Sequence, residues 1–267
     1  MLASDFDQTL SFDDSGLVLS SLLGIPAEEF LRKAHGMAEL NLVQQGAELA
    51  YLLLHDPQFR SRVHREHLVE AGKLIPLKEN IQRLYTLLAD GIEGYHFDFF
   101  VLSAAPVEIV QSALEGIVPA NHIFGTEFKY GPDGEIDTLA RTTAGYGKVA
   151  RLEELQVRLQ IAHGHLIYAG DGSSDLHAML HVNGDDGLTI AVSETRTVAR
   201  VAKRTVVSAN ALAMLVPILE TVVGWQQPQI REFFEAQGFL VQEWDKVRTD
   251  WLTLKPAANG LAAAEAA

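Results

Sequence analysis

Two carboxylates one residue apart, Asp5 and Asp7, and the hydroxyl of Thr9 close the run Met1-Leu2-Ala3-Ser4-Asp5-Phe6-Asp7-Gln8-Thr9-Leu10. A short apolar stretch that ends in acids reads as a strand delivering carboxylates to one point, with Phe6 turned back into the core. Similar groups recur later in the chain. Ser103 follows the apolar stretch Phe97 to Leu102, Lys148 stands in Gly147-Lys148-Val149, and Asp171 and Asp175 belong to Gly170-Asp171-Gly172-Ser173-Ser174-Asp175. One carboxylate can attack as a nucleophile, a second can pass protons, and a set of them can hold a hard cation. Each group taken singly has a plainer alternative: the acids as a solvated turn or helix cap, Ser103 as an N-cap, Lys148 as a surface lysine. An EF-hand opening at Asp5 is excluded, because its sixth and twelfth positions are Leu10 and Gly16.

The elements around these groups follow from periodicity and punctuation. After a polar turn at Ser11 to Ser15, apolar residues recur at helical spacing over Gly16 to Leu23, Ala27 to His35, Met37 to His55 and Gln58 to Lys73. Pro76 then opens a helix, Leu77 to Leu88. From there strands and helices alternate. Strands are expected at Phe97 to Leu102, near His122 to Gly125, His165 to Ala169, Leu188 to Val192 and Thr205 to Val207. Helices are expected at Val107 to Glu115, Lys148 to Gln160, Leu176 to His181 and Arg196 to Ala202. Gly131-Pro132-Asp133-Gly134 marks a hairpin within Thr126 to Thr138. This alternation implies an α/β fold with a parallel sheet and right-handed crossovers. In such sheets ligands bind outside the carboxyl ends of the strands, where Asp5, Ser103 and Asp171 fall.

Bulk properties narrow the classes further. With 267 residues and 48% hydrophobic content, the chain can build a full-sized core. A formal charge of -14 argues against nucleic-acid and anionic-membrane partners. The absence of cysteine excludes disulfides, thiolate metal sites and a cysteine nucleophile. The apolar run Ala211 to Trp225 is interrupted by Pro217 and Glu220, and a strand at the first residues leaves no room for a signal peptide, so a soluble cytoplasmic protein is expected.

Taken in order, Asp5-Phe6-Asp7-Gln8-Thr9, Ser103 after Phe99-Phe100-Val101-Leu102, Lys148, and Gly170-Asp171-Gly172-Ser173-Ser174-Asp175 resemble the four motifs of the haloacid dehalogenase superfamily. Specifically they resemble its phosphoserine-phosphatase-like branch, and the resemblance covers residues 1 to about 207. It implies a three-layer Rossmann-like parallel sheet domain with a helical cap inserted after the first strand. The core is then 1–15 with 76–210, the cap 16–75, a C-terminal helical extension 211–254 and a disordered tail 255–267. It also implies that Asp5 becomes an aspartyl-phosphate and that Asp7 protonates the leaving oxygen and later activates water. Mg²⁺ would bind Asp5, the main-chain carbonyl of Asp7 and Asp171, with Asp175 close by or acting through water. Thr9, Ser103, the backbone N–H of Ala104 and Lys148 would hold phosphate. The chain departs from many relatives in carrying Ala104-Ala105-Pro106 after Ser103 and Ser174 where Asn is common.

The expected activity is Mg²⁺-dependent hydrolysis of a small phosphorylated metabolite. A phosphotransferase or mutase using the same intermediate is the nearest alternative, and a non-catalytic phospho-acceptor is a third. Asp14 is a candidate substrate contact or a turn carboxylate. The pairs His64 with His67 and His177 with His181 have helical spacings that could serve zinc, but neither has a third ligand nearby in sequence.

Overall fold

The computed structural model describes residues 1–241 and Trp244. β1 (Leu2–Ser4) leads into five helices: α1 (Ser15–Leu22), α2 (Ala27–Glu39), α3 (Glu48–His55), α4 (Pro57–Arg60) and α5 (Arg65–Leu74). The sheet resumes after α6 (Ile81–Asp90) with β2 (Phe99–Pro106), α7 (Val107–Ala113) and the hairpin β3 (Ile123–Tyr130) and β4 (Ile136–Arg141). Then come α8 (Tyr146–Leu159), β5 (Ile167–Gly170), α9 (Leu176–Gly184), β6 (Leu188–Ala191), α10 (Arg196–Val201) and β7 (Arg204–Thr205). The strand order is β4-β3-β2-β1-β5-β6-β7, parallel throughout except for the antiparallel β4. The expected α/β parallel sheet is therefore present, with β1 at its centre.

Local chemistry explains where the helices differ from their expected bounds. α1 starts at Ser15 because the Asp14 carboxylate accepts from the N–H groups of Gly16 (2.8 Å) and Leu17 (3.1 Å). Gly36 does not end α2, whereas residues 40–47 form a loop instead of the start of a helix. The segment expected as one helix over Gln58 to Lys73 is split between α4 and α5. At the break, His67 Nδ1 accepts the N–H of His64 at 3.1 Å, which caps α5. α6 begins at Ile81 rather than Leu77 because the preceding residues pair with the turn after β1. Phe12 N–H donates to the Pro76 carbonyl at 2.9 Å, and Lys78 N–H donates to that of Leu10 at 2.8 Å. The chain thus enters and leaves the helical segment through one clamped pair of extended residues.

Residues Met1–Gln226 form one compact unit, and a second begins at Gln227. The first includes α11 (Leu215–Ile218), flanked by a 3₁₀ turn at Ala211–Met214 and a π turn at Leu219–Val223. The second includes α12 (Gln227–Ala236), after which Phe239 N–H returns to the Phe234 carbonyl at 2.8 Å. The expected tail at 255–267 lies outside the described residues. Among the described residues no helix is long and apolar enough to cross a membrane.

One core cluster seats the central strands against α8 and α9, joining Ala3, Phe100, Leu102, Leu152, Tyr168 and Met179. Burying both faces of the parallel strands accounts for their continuous apolar sequences. On α8, Leu152 is fully buried while Val157 is 79% exposed. Leu152→Ala is expected to cost about 2–5 kcal/mol by urea unfolding, whereas Val157→Ala should stay within about 0.5 kcal/mol. Equal losses would contradict this placement of the core.

Candidate active site

The parallel registers place three chemical groups at one edge of the sheet. Ser4 stands opposite Val101 of β2 and Ala169 of β5, so Asp5 and Asp171 emerge from adjacent strand ends, while Ser103 stands beside them within β2, which runs on to Pro106 instead of stopping at Leu102. Asp5 extends the pairing by one bond, its N–H donating to the Ala169 carbonyl at 2.8 Å. α8 brings Lys148 beneath them. Its Nζ lies 2.8 Å from Asp5 Oδ2 and 2.6 Å from Asp175 Oδ1, and the side chain is completely buried.

Asp175 is saturated with donors. Oδ1 accepts from Lys148 and from the Tyr168 hydroxyl at 2.6 Å, while Oδ2 accepts the N–H groups of Asp171 and Gly172, both at 3.1 Å. This arrangement requires glycine at position 170: a Cβ there would stand 2.4 Å from the Asp175 Cγ. Asp171 is less committed, with the Thr9 hydroxyl 3.4 Å from its Oδ1. The structure therefore gathers Asp5, Thr9, Lys148, Asp171 and Asp175.

The remaining predicted residues adjoin this group but their hydrogen bonds run elsewhere. Asp7 Oδ1 accepts the Ser15 hydroxyl at 2.6 Å and the Ser15 N–H at 3.0 Å, which turns the carboxyl toward the start of α1. Ser103 is buried, and its Oγ accepts the Ala105 N–H at 3.1 Å. The Ala104 carbonyl accepts the Thr126 hydroxyl at 2.7 Å. Tyr168 and Ser15 were not singled out from sequence. Tyr168 looks like one more large residue of a buried strand, and Ser15 like the end of a polar turn.

Charge is unbalanced at this edge. Burial, followed by the charge of Asp175, pushes the Asp5 carboxyl well above its ordinary range despite Lys148. Burial and then Asp175 likewise push Asp171 up to about 7. Burial alone would lower Lys148, but Asp175 and Asp5 hold it above its ordinary value. The Asp7 carboxyl is raised by burial and by the charge of Asp14, against the two bonds from Ser15.

These donors fit a hard divalent cation. One carboxylate oxygen from each of Asp5, Asp171 and Asp175 lies within 4.8 Å of the others, and no other such trio of acids or histidines occurs among the described residues. Three carboxylates against one ammonium leave two negative charges when all are ionised, and oxygen donors of this kind suit Mg²⁺. Asp5 and Asp171 have the capacity to ligate directly, whereas Asp175 already accepts four hydrogen bonds. Neither His64 with His67 nor His177 with His181 gains a third ligand for zinc among the described residues. A cavity of about 640 Å³, bordered by Arg65, Tyr85, Glu108 and Ser112, includes none of these acids.

The haloacid dehalogenase-like hydrolase family model matches residues 2–180. Among solved structures, the phospho-aspartyl intermediate analogue of phosphoserine phosphatase is 19% identical, covering 80% of this chain and 96% of that one, with a TM-score of 0.64. A phosphoserine phosphohydrolase-like protein from Francisella tularensis subsp. tularensis SCHU S4 is 21% identical, with 80% and 98% coverage and a TM-score of 0.58. A haloacid dehalogenase family hydrolase from Salmonella enterica subsp. enterica serovar Typhi is 15% identical, with 82% and 70% coverage and a TM-score of 0.66. These structures share the fold. No curated protein sequence matches the chain.

Removing Asp175 should strand Lys148 with half its compensation. Asp175→Ala is expected to destabilise the metal-free protein by roughly 3–5 kcal/mol in urea, and a loss below about 1 kcal/mol would show that other groups hold the lysine. The raised carboxyls give a second expectation. A carboxyl whose folded-state pKa is raised favours the fold at low pH, and that contribution is lost as pH rises through the folded value, here about 7 for Asp171. Thermal unfolding should therefore show Mg²⁺ raising Tm more at about pH 8 than at about pH 5.5, because the cation replaces protons. Equal gains would contradict ligation by these acids.

Proposed function

The chain belongs to the haloacid dehalogenase-like hydrolase family, and from that membership we propose that it is a Mg²⁺-dependent phosphatase of small phosphorylated metabolites. The observation that carries this reading is Asp5 itself: a buried carboxylate at the end of the central strand, oriented by Lys148 at 2.8 Å beside Asp171 and Asp175. In the proposed reaction an Asp5 oxygen attacks phosphorus and the ester P–O bond breaks. Asp7 gives its proton to the departing alkoxide oxygen. Asp7 then takes a proton from water, whose oxygen attacks phosphorus, so that orthophosphate leaves and the Asp5 carboxylate is restored.

Mg²⁺, held by Asp5, Asp171 and the Asp7 main-chain carbonyl, would supply charge neutralisation for the phosphoryl oxygens. Lys148 opposes the same charge from below and fixes the attacking carboxylate. Ser103, Thr9 and the Ala104 N–H are assigned to the remaining oxygens. Residues 16–75 act as the cap, hinged where Leu10–Phe12 pairs with Pro76–Lys78. Ser15 links the two, since it binds Asp7 and opens the first cap helix.

Two variants separate the roles. Asp5→Asn should lose turnover by several orders of magnitude while remaining folded. Asp7→Asn should slow an alkyl monoester much more than an aryl ester, whose leaving group needs less protonation. Near-normal hydrolysis by Asp5→Asn, or equal losses on both esters for Asp7→Asn, would overturn these assignments in steady-state assays of phosphate release.

A further inference from the structure

The loop between α2 and α3 reaches the three segments that carry Asp175, Ser103 and Lys148. Gly46, at φ +88°, packs so closely that a Cβ there would lie 2.8 Å from the Ser174 Cβ, 3.2 Å from that of Ala104 and 3.4 Å from that of Ala144. Ser174 adjoins Asp175, Ala104 follows Ser103 in β2, and Ala144 stands just before α8, which carries Lys148. Two residues earlier, Gln44 lays its carboxamide over Gly145, its Nε2 standing 2.1 Å from where a Cβ would be. That nitrogen is buried and has no hydrogen-bond partner. A buried donor left without an acceptor is unfavourable, so its position calls for an acceptor from outside the protein.

The residue after Gly145 supplies a second feature. Tyr146 opens α8, two positions before Lys148, yet is 67% exposed. Its ring is not free to swing: it lies against His177 with centroids 4.1 Å apart and planes 39° apart. His177 comes two residues after Asp175. An aromatic ring backed by another and open on its outer side is a stacking platform for a flat ring.

Resting on the phosphatase reading above, we propose that Gln44 and Tyr146 form the subsite for the leaving alcohol. Tyr146 stacks a planar aromatic or heteroaromatic ring of the ester, and Gln44 donates a hydrogen bond to the bridging ester oxygen. The substrate class is therefore a phosphate monoester whose alcohol carries a flat ring close to the oxygen.

Benzyl phosphate and cyclohexylmethyl phosphate test this, since both are primary alkyl monoesters with rings of similar size and only one is flat. The Mg²⁺-loaded protein should favour the benzyl ester by about tenfold in kcat/KM, mainly through KM. Tyr146→Leu should bring that ratio near unity, and Tyr146→Phe should restore it. Gln44→Ala and the near-isosteric Gln44→Glu should each lower kcat/KM for both esters by about tenfold, leaving the ratio in place. A wild-type ratio near unity, or a ratio that survives Tyr146→Leu, overturns the stacking platform while leaving phosphatase activity intact. Equal kcat/KM in Gln44→Ala and wild type removes Gln44 from the subsite. Phosphate release from neither ester, nor from any other monoester tried, overturns the phosphatase reading and the subsite with it.

Discussion

A completely buried ammonium held between two carboxylates is the interaction on which the site depends. Lys148 reaches Asp5 at 2.8 Å and Asp175 at 2.6 Å without exposure to water. Burying a charge without a partner is strongly unfavourable, so the lysine fixes both acids as firmly as they fix it. Asp175 is held in turn by Tyr168 and by two backbone N–H groups of its own loop. The result is a rigid base of fixed charge under a more open rim, where Asp171 and the upper part of Asp5 face the approach to the sheet edge.

The fold makes this possible at little conformational cost. β1 is only Leu2–Ser4, but it lies between β2 and β5 and has no edge to protect. Its short length puts Asp5 at the sheet boundary with the backbone still hydrogen-bonded. α8 supplies Lys148 from its first turn, and Gly170 removes the side chain that would keep Asp175 away. The raised carboxyls show the other side of the arrangement: burial and mutual repulsion oppose their ionisation, and a bound cation would relieve both.

Much of this was legible in the sequence, because strand ends and helix starts punctuate an alternating chain. Asp5, Lys148, Asp171 and Asp175 stood at such boundaries, and the structure gathers all four. The differences arise where tertiary contacts override periodicity. Residues 40–47 have helical spacing, yet they form the loop that carries Gln44 and Gly46. α6 starts late because Pro76–Lys78 pairs with Leu10–Phe12. Tyr168 could not be found, since its hydroxyl matters only once β5 faces Asp175. Asp7 was recognised as an acid beside Asp5, but its attachment to Ser15 follows from the direction in which α1 leaves the site.

The central claim is that Asp5 carries the phosphoryl group. It is tested most directly by rapid quenching of the Mg²⁺-loaded protein during turnover of a phosphate monoester, followed by borohydride reduction and peptide mass spectrometry. An acyl phosphate on Asp5 would be reduced to homoserine at that position. The account requires the change at Asp5, only when substrate is present, and absent from Asp5→Asn; substrate-dependent reduction at another carboxylate, or none during demonstrated turnover, would contradict it.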